Sequence, residues 1–115
     1  MEIAELATSM GHECFLPQRD ALQECNKKVT AEMNVEAIKR ADSILTVGRN
    51  LGADTAWEVG FAKALGKPIL LLHTKQDAVE TNLMVMSSIN GAIQLSAYSD
   101  LKATDLSILR ELRVT

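Results

Sequence analysis

Two short apolar runs with a helical segment between them constrain the fold of this chain more than any other feature. The first run covers residues 43–48. The second covers residues 69–74 and begins with four consecutive large aliphatic residues, as a strand buried on both faces does. Residues 55–65 between them have the pattern of a helix, which Gly66 ends and Pro68 prevents from continuing. Because two strands joined through a helix lie parallel in one sheet, the sequence predicts an α/β fold.

The rest of the chain continues this alternation. Apolar periodicity predicts further strands at residues 13–16 and 92–97, and further helical segments at residues 1–10, 20–41, 82–89 and 100–113. Alternating strands and helices are typical of a three-layer sandwich, in which helices cover both faces of a parallel sheet, here of about four strands. At 115 residues the chain is long enough for one core and too short for two, so we expect a single domain over residues 1–115.

The composition argues against several classes of partner. The formal net charge is −3 and no basic stripe is present, so we expect no binding to nucleic acid. No apolar run approaches the roughly 18 residues that span a bilayer, so we expect no membrane association. Cys14 and Cys25 lack the spacing of a metal site or a CxxC motif, which predicts reduced thiols in a cytoplasmic protein. No metal-ligand constellation is visible in the sequence, and we expect neither a metal nor a cofactor.

Glu58 lies where a ligand would bind. In an open parallel sheet, ligands bind beyond the carboxyl ends of the strands, and Glu58 falls in the first turn of the helix predicted after such an end. The positive end of a helix dipole favours an anion at this position. A structural interpretation competes, because Thr55 and Glu58 have the spacing of a capping box. Asp54, beside the same helix start, is either a ligand-binding group or a solvated cap residue.

The segments ADSIL (residues 41–45) and DTAWEVGFAKALGKPI (residues 54–69) resemble the nucleoside 2-deoxyribosyltransferase family, whose superfamily includes deoxynucleoside 5′-monophosphate N-glycosidases. The resemblance extends from residue 1 to about residue 98. It implies a flavodoxin-like (Rossmann-like) fold and assembly into homodimers or higher homo-oligomers. It also implies that the chain cleaves the N-glycosidic bond of a deoxynucleoside, or of its 5′-monophosphate, through a glutamate nucleophile. The sugar then passes to a second base or to water.

The resemblance suggests roles for individual residues. Glu58 matches the nucleophile, and Asn82, Leu83 and Met84 match the Asn-x-Met motif with which transferases of the family reach into a neighbouring subunit's site. The monophosphate hydrolases tend to have serine where Asn82 stands, so this motif favours a transferase. From the residues alone, Asn82 is also a good helix N-cap, and Met84 is also typical of a core or interface. Trp57 is expected to pack its helix onto the sheet or to fill a subunit contact.

This sequence departs from the family pattern in two respects. The family usually places an aspartate 24 to 26 residues before the nucleophile, to help protonate the leaving base, and Asn34 stands there instead. An amide can hydrogen-bond a base but cannot deliver a proton. The sequence also offers no segment that we expect to match the family's first strand and its glycine-containing loop. Asn34 is a candidate substrate contact or a polar residue on a helix face, and Arg19 is a candidate phosphate contact or an exposed charge.

Two other functions stay open beside an enzyme acting on a small-molecule nucleoside or nucleotide. A non-catalytic nucleotide-binding or regulatory module would retain the fold, and both departures from the family pattern favour it. A flavin-binding or phosphoacceptor domain would need either a Ser/Thr/Gly-rich phosphate loop with stacking aromatics or an acidic pair with a lysine. Neither pattern is present in the sequence, so the flavin-binding or phosphoacceptor class ranks last. We rank the enzyme first and the binding module second.

Overall fold

In the computed structural model of this chain, residues 2–15 and 27–114 are described. The chain divides into two compact units, Met1–Arg40 and Ala41–Thr115. The described part of the first unit contains helices, and the second unit contains the sheet. The single domain expected from the chain length stays a prediction.

The first unit has two described helices. Helix α1 spans Glu2–Ser9, and helix α2 spans Lys27–Arg40. Gly11 follows α1 with a φ of 92°, a left-handed conformation that glycine adopts without steric cost, and it ends the helix there. Helix α2 confirms the second part of the helical segment predicted at residues 20–41, whereas residues 20–26 lie outside the described residues.

The strand predicted at residues 13–16 is not formed. Residues 13–15 have no regular secondary structure, and Leu16 lies outside the described residues. Phe15 is 37% exposed, so this short segment does not bury the apolar surface that would hold a strand in a sheet. The sheet in the described residues therefore has three strands rather than about four.

The second unit is built on a parallel sheet with the strand order β1–β2–β3. The strands are β1 (Ile44–Val47), β2 (Ile69–Thr74) and β3 (Gly91–Leu95). All four aliphatic residues at 69–72 are 0% exposed. Because successive side chains of a strand point to opposite faces, both faces of the central strand are covered. The predicted α/β fold, a parallel sheet flanked by helices, is confirmed.

Helix α3 (Ala53–Ala64) connects β1 to β2 and ends where the sequence predicts. Gly66 adopts a φ of 74° just beyond it. The main-chain N–H groups of Gly66 and Lys67 donate hydrogen bonds, each of 3.0 Å, to carbonyl oxygens of the last helical turn, those of Lys63 and Ala62. This glycine-dependent end returns the chain directly into β2.

The remaining elements are short. They are the 3₁₀ helices Gly48–Asn50, Val79–Thr81, Tyr98–Asp100 and Ser107–Arg110, and the helices α4 (Leu83–Ser88) and α5 (Ala103–Leu106). Helix α5 is shorter than the predicted helix at 100–113, since the Asp105 carboxylate accepts the Lys102 N–H at 2.9 Å and marks a later start. Leu106 and Leu112 are nevertheless buried. None of the helices in the described residues combines the length and apolar character that crossing a membrane requires.

Candidate active site

The carboxyl ends of the three strands meet at one edge of the sheet, where ligands bind in folds of this type. Strand β1 leads through Gly48–Asn50 into α3, and β2 leads through Val79–Thr81 into α4. Helices α3 and α4 pack against each other. The two segments that the family resemblance singles out, residues 54–58 and 82–84, therefore lie on adjacent helices that leave the same edge.

Helix α3 begins two residues earlier than the sequence predicts. Gly52 is its N-cap in an extended conformation and, as a glycine, offers no side-chain cap. Thr55 therefore lies inside the first turn, and the capping box predicted between Thr55 and Glu58 is not formed. Asp54 favours the earlier start, because a negative charge in the first turn interacts favourably with the helix dipole. Glu58 consequently lies in the second turn, beyond the range in which that dipole effect is strong.

The Glu58 side chain is half-buried and has no hydrogen-bond or ion-pair partner in the described part of the chain. Burial raises the pKa of this carboxyl above its ordinary value of 4.5, and the charge of Asp54 raises it further. Asp54 is exposed and stands four residues earlier, on the same face of α3. The Glu58 carboxylate is thus only partly solvated, and none of the described residues pairs with it. These are properties of a nucleophilic or acid–base carboxylate.

Asn82 occupies the N-cap position of α4, but its side chain makes no capping hydrogen bond. Its main chain serves two helices: its N–H donates to the Val79 carbonyl at 3.0 Å and closes the 3₁₀ helix Val79–Thr81, and its carbonyl accepts the Met86 N–H of α4 at 2.9 Å. Leu83 and Met84 are 75% and 77% exposed, so the interpretation of Met84 as a core residue is wrong. The side chains of the Asn-x-Met motif are therefore not used to build their own helix.

Asn34 and Arg19 lie in the first unit, which the structure describes only in part. Asn34 is half-buried on helix α2. Its side-chain oxygen Oδ1 is fully buried and has no hydrogen-bond partner among the described residues. A buried amide oxygen without a partner is costly, and water or a ligand normally satisfies it. Arg19 lies outside the described residues.

Sequence reasoning missed a group of polar residues at the carboxyl edge of the sheet. Oxygen Oδ2 of Asp77 accepts the main-chain N–H of Thr74 at 2.8 Å, the Thr74 hydroxyl at 3.1 Å and the Tyr98 hydroxyl. The Tyr98 hydroxyl in turn accepts the main-chain N–H of Arg49 at 3.2 Å. The Arg49 guanidinium lies 4.5 Å from the centre of the Tyr98 ring, in a cation–π contact. No spacing pattern links these residues, and only the parallel topology brings them together.

The ionisation of Asp77 and Tyr98 follows from their mutual hydrogen bond. The bonds from Tyr98 and from the Thr74 main chain hold the pKa of the Asp77 carboxyl below its ordinary value of 3.8. Burial, together with the bond to Asp77, raises the pKa of the Tyr98 hydroxyl above its ordinary value of 10.0. At neutral pH Asp77 is therefore an anion and Tyr98 a neutral donor, and their hydrogen bond is of the stronger, charge-assisted kind.

Trp57 does not pack α3 onto the sheet, as one sequence interpretation expects. It is 57% exposed, and its ring stacks on that of Phe61, with 5.2 Å between the centroids and 19° between the planes. Leu65, a further turn along the helix, is 43% exposed. The solvent side of α3 thus carries apolar side chains, and the alternative role of Trp57 in a subunit contact stays a prediction.

Comparisons with known proteins agree with this architecture. The CMP N-glycosidase BcmB of Clostridium botulinum is similar in structure, with a TM-score of 0.65 and 19% sequence identity over 93% of this chain and 84% of that chain. At this identity the likeness shows the fold. No curated protein matches the chain. The sequence model of the family named nucleoside 2-deoxyribosyltransferase matches residues 1–104, which confirms the resemblance. The chain belongs to the nucleoside 2-deoxyribosyltransferase family.

Proposed function

We propose that this chain cleaves the N-glycosidic bond of a deoxynucleoside, or of its 5′-monophosphate, with Glu58 as the nucleophile. The proposal rests on the Glu58 carboxyl, which is half-buried and has a raised pKa. Among the described residues it has no hydrogen-bond or ion-pair partner. Family membership supports this class of reaction. The likeness to a CMP N-glycosidase supports including nucleotides among the substrates.

The reaction consists of two displacements at C1′ of the sugar. In the first, an oxygen of ionised Glu58 bonds to C1′ while the C1′–N bond breaks and its electron pair leaves with the base. A proton from Asp54 or from water moves to the departing base. In the second, water or another base bonds to C1′ and gives up a proton, and the bond between Glu58 and the sugar breaks to return the carboxylate. These steps need neither a metal nor a redox cofactor.

The other candidate residues are assigned to parts of the substrate by their chemistry. Asp54 is assigned to a sugar hydroxyl or to proton delivery, because it is an exposed carboxylate one turn before Glu58. Asn34 is assigned to the base, because its buried amide oxygen lacks a partner among the described residues. Arg19 is assigned to a 5′-phosphate, for which a guanidinium offers paired donors.

In the pH profile of kcat/KM, the substitution Asp54→Asn is expected to move the acid limb to lower pH. That limb reports the pKa of the essential carboxylate in the free enzyme. The charge of Asp54 disfavours a second negative charge on Glu58, so its removal lowers the pKa of Glu58, while burial, the larger cause, still raises it. Asp42→Asn, at an exposed residue just before β1, is the matched control and should leave the limb in place. If the acid limb stays in place or moves to higher pH in Asp54→Asn, a group other than Glu58 produces that limb.

We propose further that two copies of the chain share each site. Leu83 and Met84 are exposed, and Asn82 makes no side-chain cap, which supports their use towards a partner subunit. Two-fold dimers are the commonest homo-oligomers and place such segments reciprocally. Light scattering at micromolar concentration is expected to give the mass of a dimer or a larger assembly, and a monomeric mass would contradict this.

Mixing two inactive variants is expected to restore base release. A Glu58→Ala chain retains Asn82, and an Asn82→Ala chain retains Glu58, so one of the two sites in a mixed dimer has both residues. Random pairing in two-fold dimers should recover about a quarter of the wild-type rate. Each variant alone is the control. If native mass spectrometry detects mixed dimers but no activity returns, Asn82 acts within its own chain.

The proposed activity is tested with a panel of deoxynucleosides and 5′-monophosphates, CMP included, with and without an acceptor base. Free base is measured by chromatography. Release into water indicates a glycosidase, and exchange that requires the acceptor indicates a transferase.

A second function, a non-catalytic nucleotide-binding module, is favoured by Asn34 at the position of the family's aspartate. Calorimetric binding of a panel member without release of base from any of them would establish that second function.

A further inference from the structure

Asp77 and Tyr98 connect the chain segments that follow all three strands. Asp77 lies after β2 and Tyr98 after β3, and the Tyr98 hydroxyl bridges the Asp77 carboxylate and the main-chain N–H of Arg49 after β1. The same Asp77 oxygen is held by the main chain and the hydroxyl of Thr74, at the end of β2. One phenol and one carboxylate therefore tie three neighbouring segments together at the carboxyl edge.

The first of these segments leads to Glu58. Arg49 lies in the 3₁₀ helix after β1, and α3 begins four residues later. The preceding Gly48 is packed so closely that an added Cβ would lie 2.9 Å from the Cβ of His73 and 3.2 Å from Oδ2 of Asp77. The main chain at the entrance to α3 is thus held by the Tyr98 hydroxyl and by close packing against the segment that carries Asp77.

The second segment leads to Asn82. The Asp77 N–H donates to the Thr74 carbonyl at 3.2 Å, and the Asp77 carbonyl accepts the Val79 N–H at 2.9 Å. The Val79 carbonyl then accepts the Asn82 N–H at 3.0 Å. A continuous series of main-chain hydrogen bonds therefore runs from the end of β2, through Asp77, to the start of α4.

From these connections we infer that Asp77 and Tyr98 are positioning residues for the reaction. They act through the main chain: their hydrogen bond holds the segment that delivers Glu58 and the segment that delivers Asn82 in a fixed arrangement. Neither residue contacts the reacting atoms in this role. A misplacement of about 1 Å at a catalytic group can lower a rate by about 10²-fold, so a distant hydrogen bond can have a large kinetic effect. The kinetic consequence rests on the proposed function, whereas the structural consequence does not.

The test is Tyr98→Phe, which removes the hydroxyl and keeps the ring beneath the Arg49 guanidinium. We expect kcat for base release to fall by about 10- to 100-fold while KM changes by less than about threefold, because alignment rather than substrate binding is lost. We also expect faster amide hydrogen exchange at residues 51–58 and 79–82, and not only at Arg49. Asp77→Asn, which keeps the side-chain size and removes the charge, should reproduce both effects.

Asn90→Ala is the matched control. Oxygen Oδ1 of Asn90 accepts the Ile69 N–H at 2.9 Å at the opposite, amino end of β2, so this variant also removes one bond between a side chain and the main chain. It should lower stability without lowering kcat. Unchanged kcat in Tyr98→Phe, or exchange that is faster at Arg49 alone, would overturn the inference. If the wild type releases no base, the proposed function fails, and the exchange measurement still decides whether Asp77 and Tyr98 hold both segments.

Discussion

Replacing Glu58 by alanine is expected to lower kcat for base release by roughly 10⁴-fold or more, the scale of loss when a nucleophile is removed. Alanine has no oxygen to bond to C1′, so the first displacement cannot occur. The fold should survive, because the carboxylate has no hydrogen-bond or ion-pair partner to lose among the described residues. The measurement is the rate of base release under saturating substrate, with circular dichroism to verify folding.

Two further variants separate the chemistry from the fold. Glu58→Gln keeps the shape of the side chain and is expected to be as inactive as the alanine variant. Glu111→Ala removes an exposed glutamate that lies beyond residues 1–104, the part of the chain that the family model matches. This variant should retain the wild-type kcat. Full base release by Glu58→Ala would exclude Glu58 as the nucleophile.

Glu58→Gln is also expected to stabilise the fold at neutral pH. Because the pKa of Glu58 in the folded chain lies above 4.5, the folded state binds this proton more tightly than the unfolded chain does. Ionisation therefore opposes folding, and the glutamine variant gains stability at pH values above the folded pKa. The gain disappears as the pH falls below 4.5. Such a gain together with lost activity is typical of a residue kept for function.

Gly48→Ala is expected to lower the free energy of unfolding by about 1–3 kcal/mol, the usual effect of overpacking. The added Cβ would lie 2.9 Å from the Cβ of His73 and from Cγ1 of Val79, and 3.2 Å from Oδ2 of Asp77. The Cβ of His73 is bonded directly to the main chain of β2 and cannot rotate away. The strand end must therefore shift, and the hydrogen bond between Asp77 and Tyr98 shifts with it.

Gly60→Ala is the matched control for this prediction. Gly60 lies within α3, and nothing lies within 4 Å of the position that a Cβ would take. Alanine there is expected to raise the free energy of unfolding by about 0.5–1 kcal/mol, because glycine in a helix loses more chain entropy on folding. Urea unfolding measures both changes. An unchanged or increased free energy of unfolding in Gly48→Ala would contradict the close packing at the strand end.

Local sequence patterns predicted the elements that bury the most apolar surface. Four consecutive aliphatic residues, such as those at 69–72, are typical of a strand in a sheet that is covered on both faces. All four are fully buried. Gly66 ends helix α3 through a left-handed conformation that few other residues adopt. In both places local preference and tertiary burial favour the same structure, which is the condition under which sequence reasoning succeeds.

The predictions failed where local preference and context disagree. Residues 13–15 have strand-like character but form no strand, and Phe15 is not buried. Thr55 has the spacing of a cap, yet helix α3 begins earlier, at Ala53 with Gly52 as its N-cap. A helix cap contributes only about 1 kcal/mol to stability. The predicted cap therefore does not form when the chain that leaves β1 is held in another position.

The polar group around Tyr98 was beyond the reach of sequence reasoning for a different reason. Tyr98 is separated by 21 positions from Asp77 and by 49 from Arg49. Each residue alone has the character of an ordinary loop residue. Their contacts follow from strand order and register, which place the segments after the three strands side by side. A candidate site at this edge was predictable from topology, whereas its supporting hydrogen bonds required the structure.

Whether a sugar becomes covalently bonded to Glu58 tests the mechanism most directly. A 2-deoxy-2-fluoro nucleoside with a reactive leaving base slows the second displacement, because fluorine disfavours the positive charge that develops at C1′. Mass spectrometry of the intact protein and of its peptides is expected to find one fluorinated sugar on the peptide that contains Glu58. The adduct should be absent in Glu58→Gln, and it should disappear on addition of an acceptor base in a transferase or slowly in water in a glycosidase. Turnover without an adduct, or an adduct on another residue, would contradict the proposed role of Glu58.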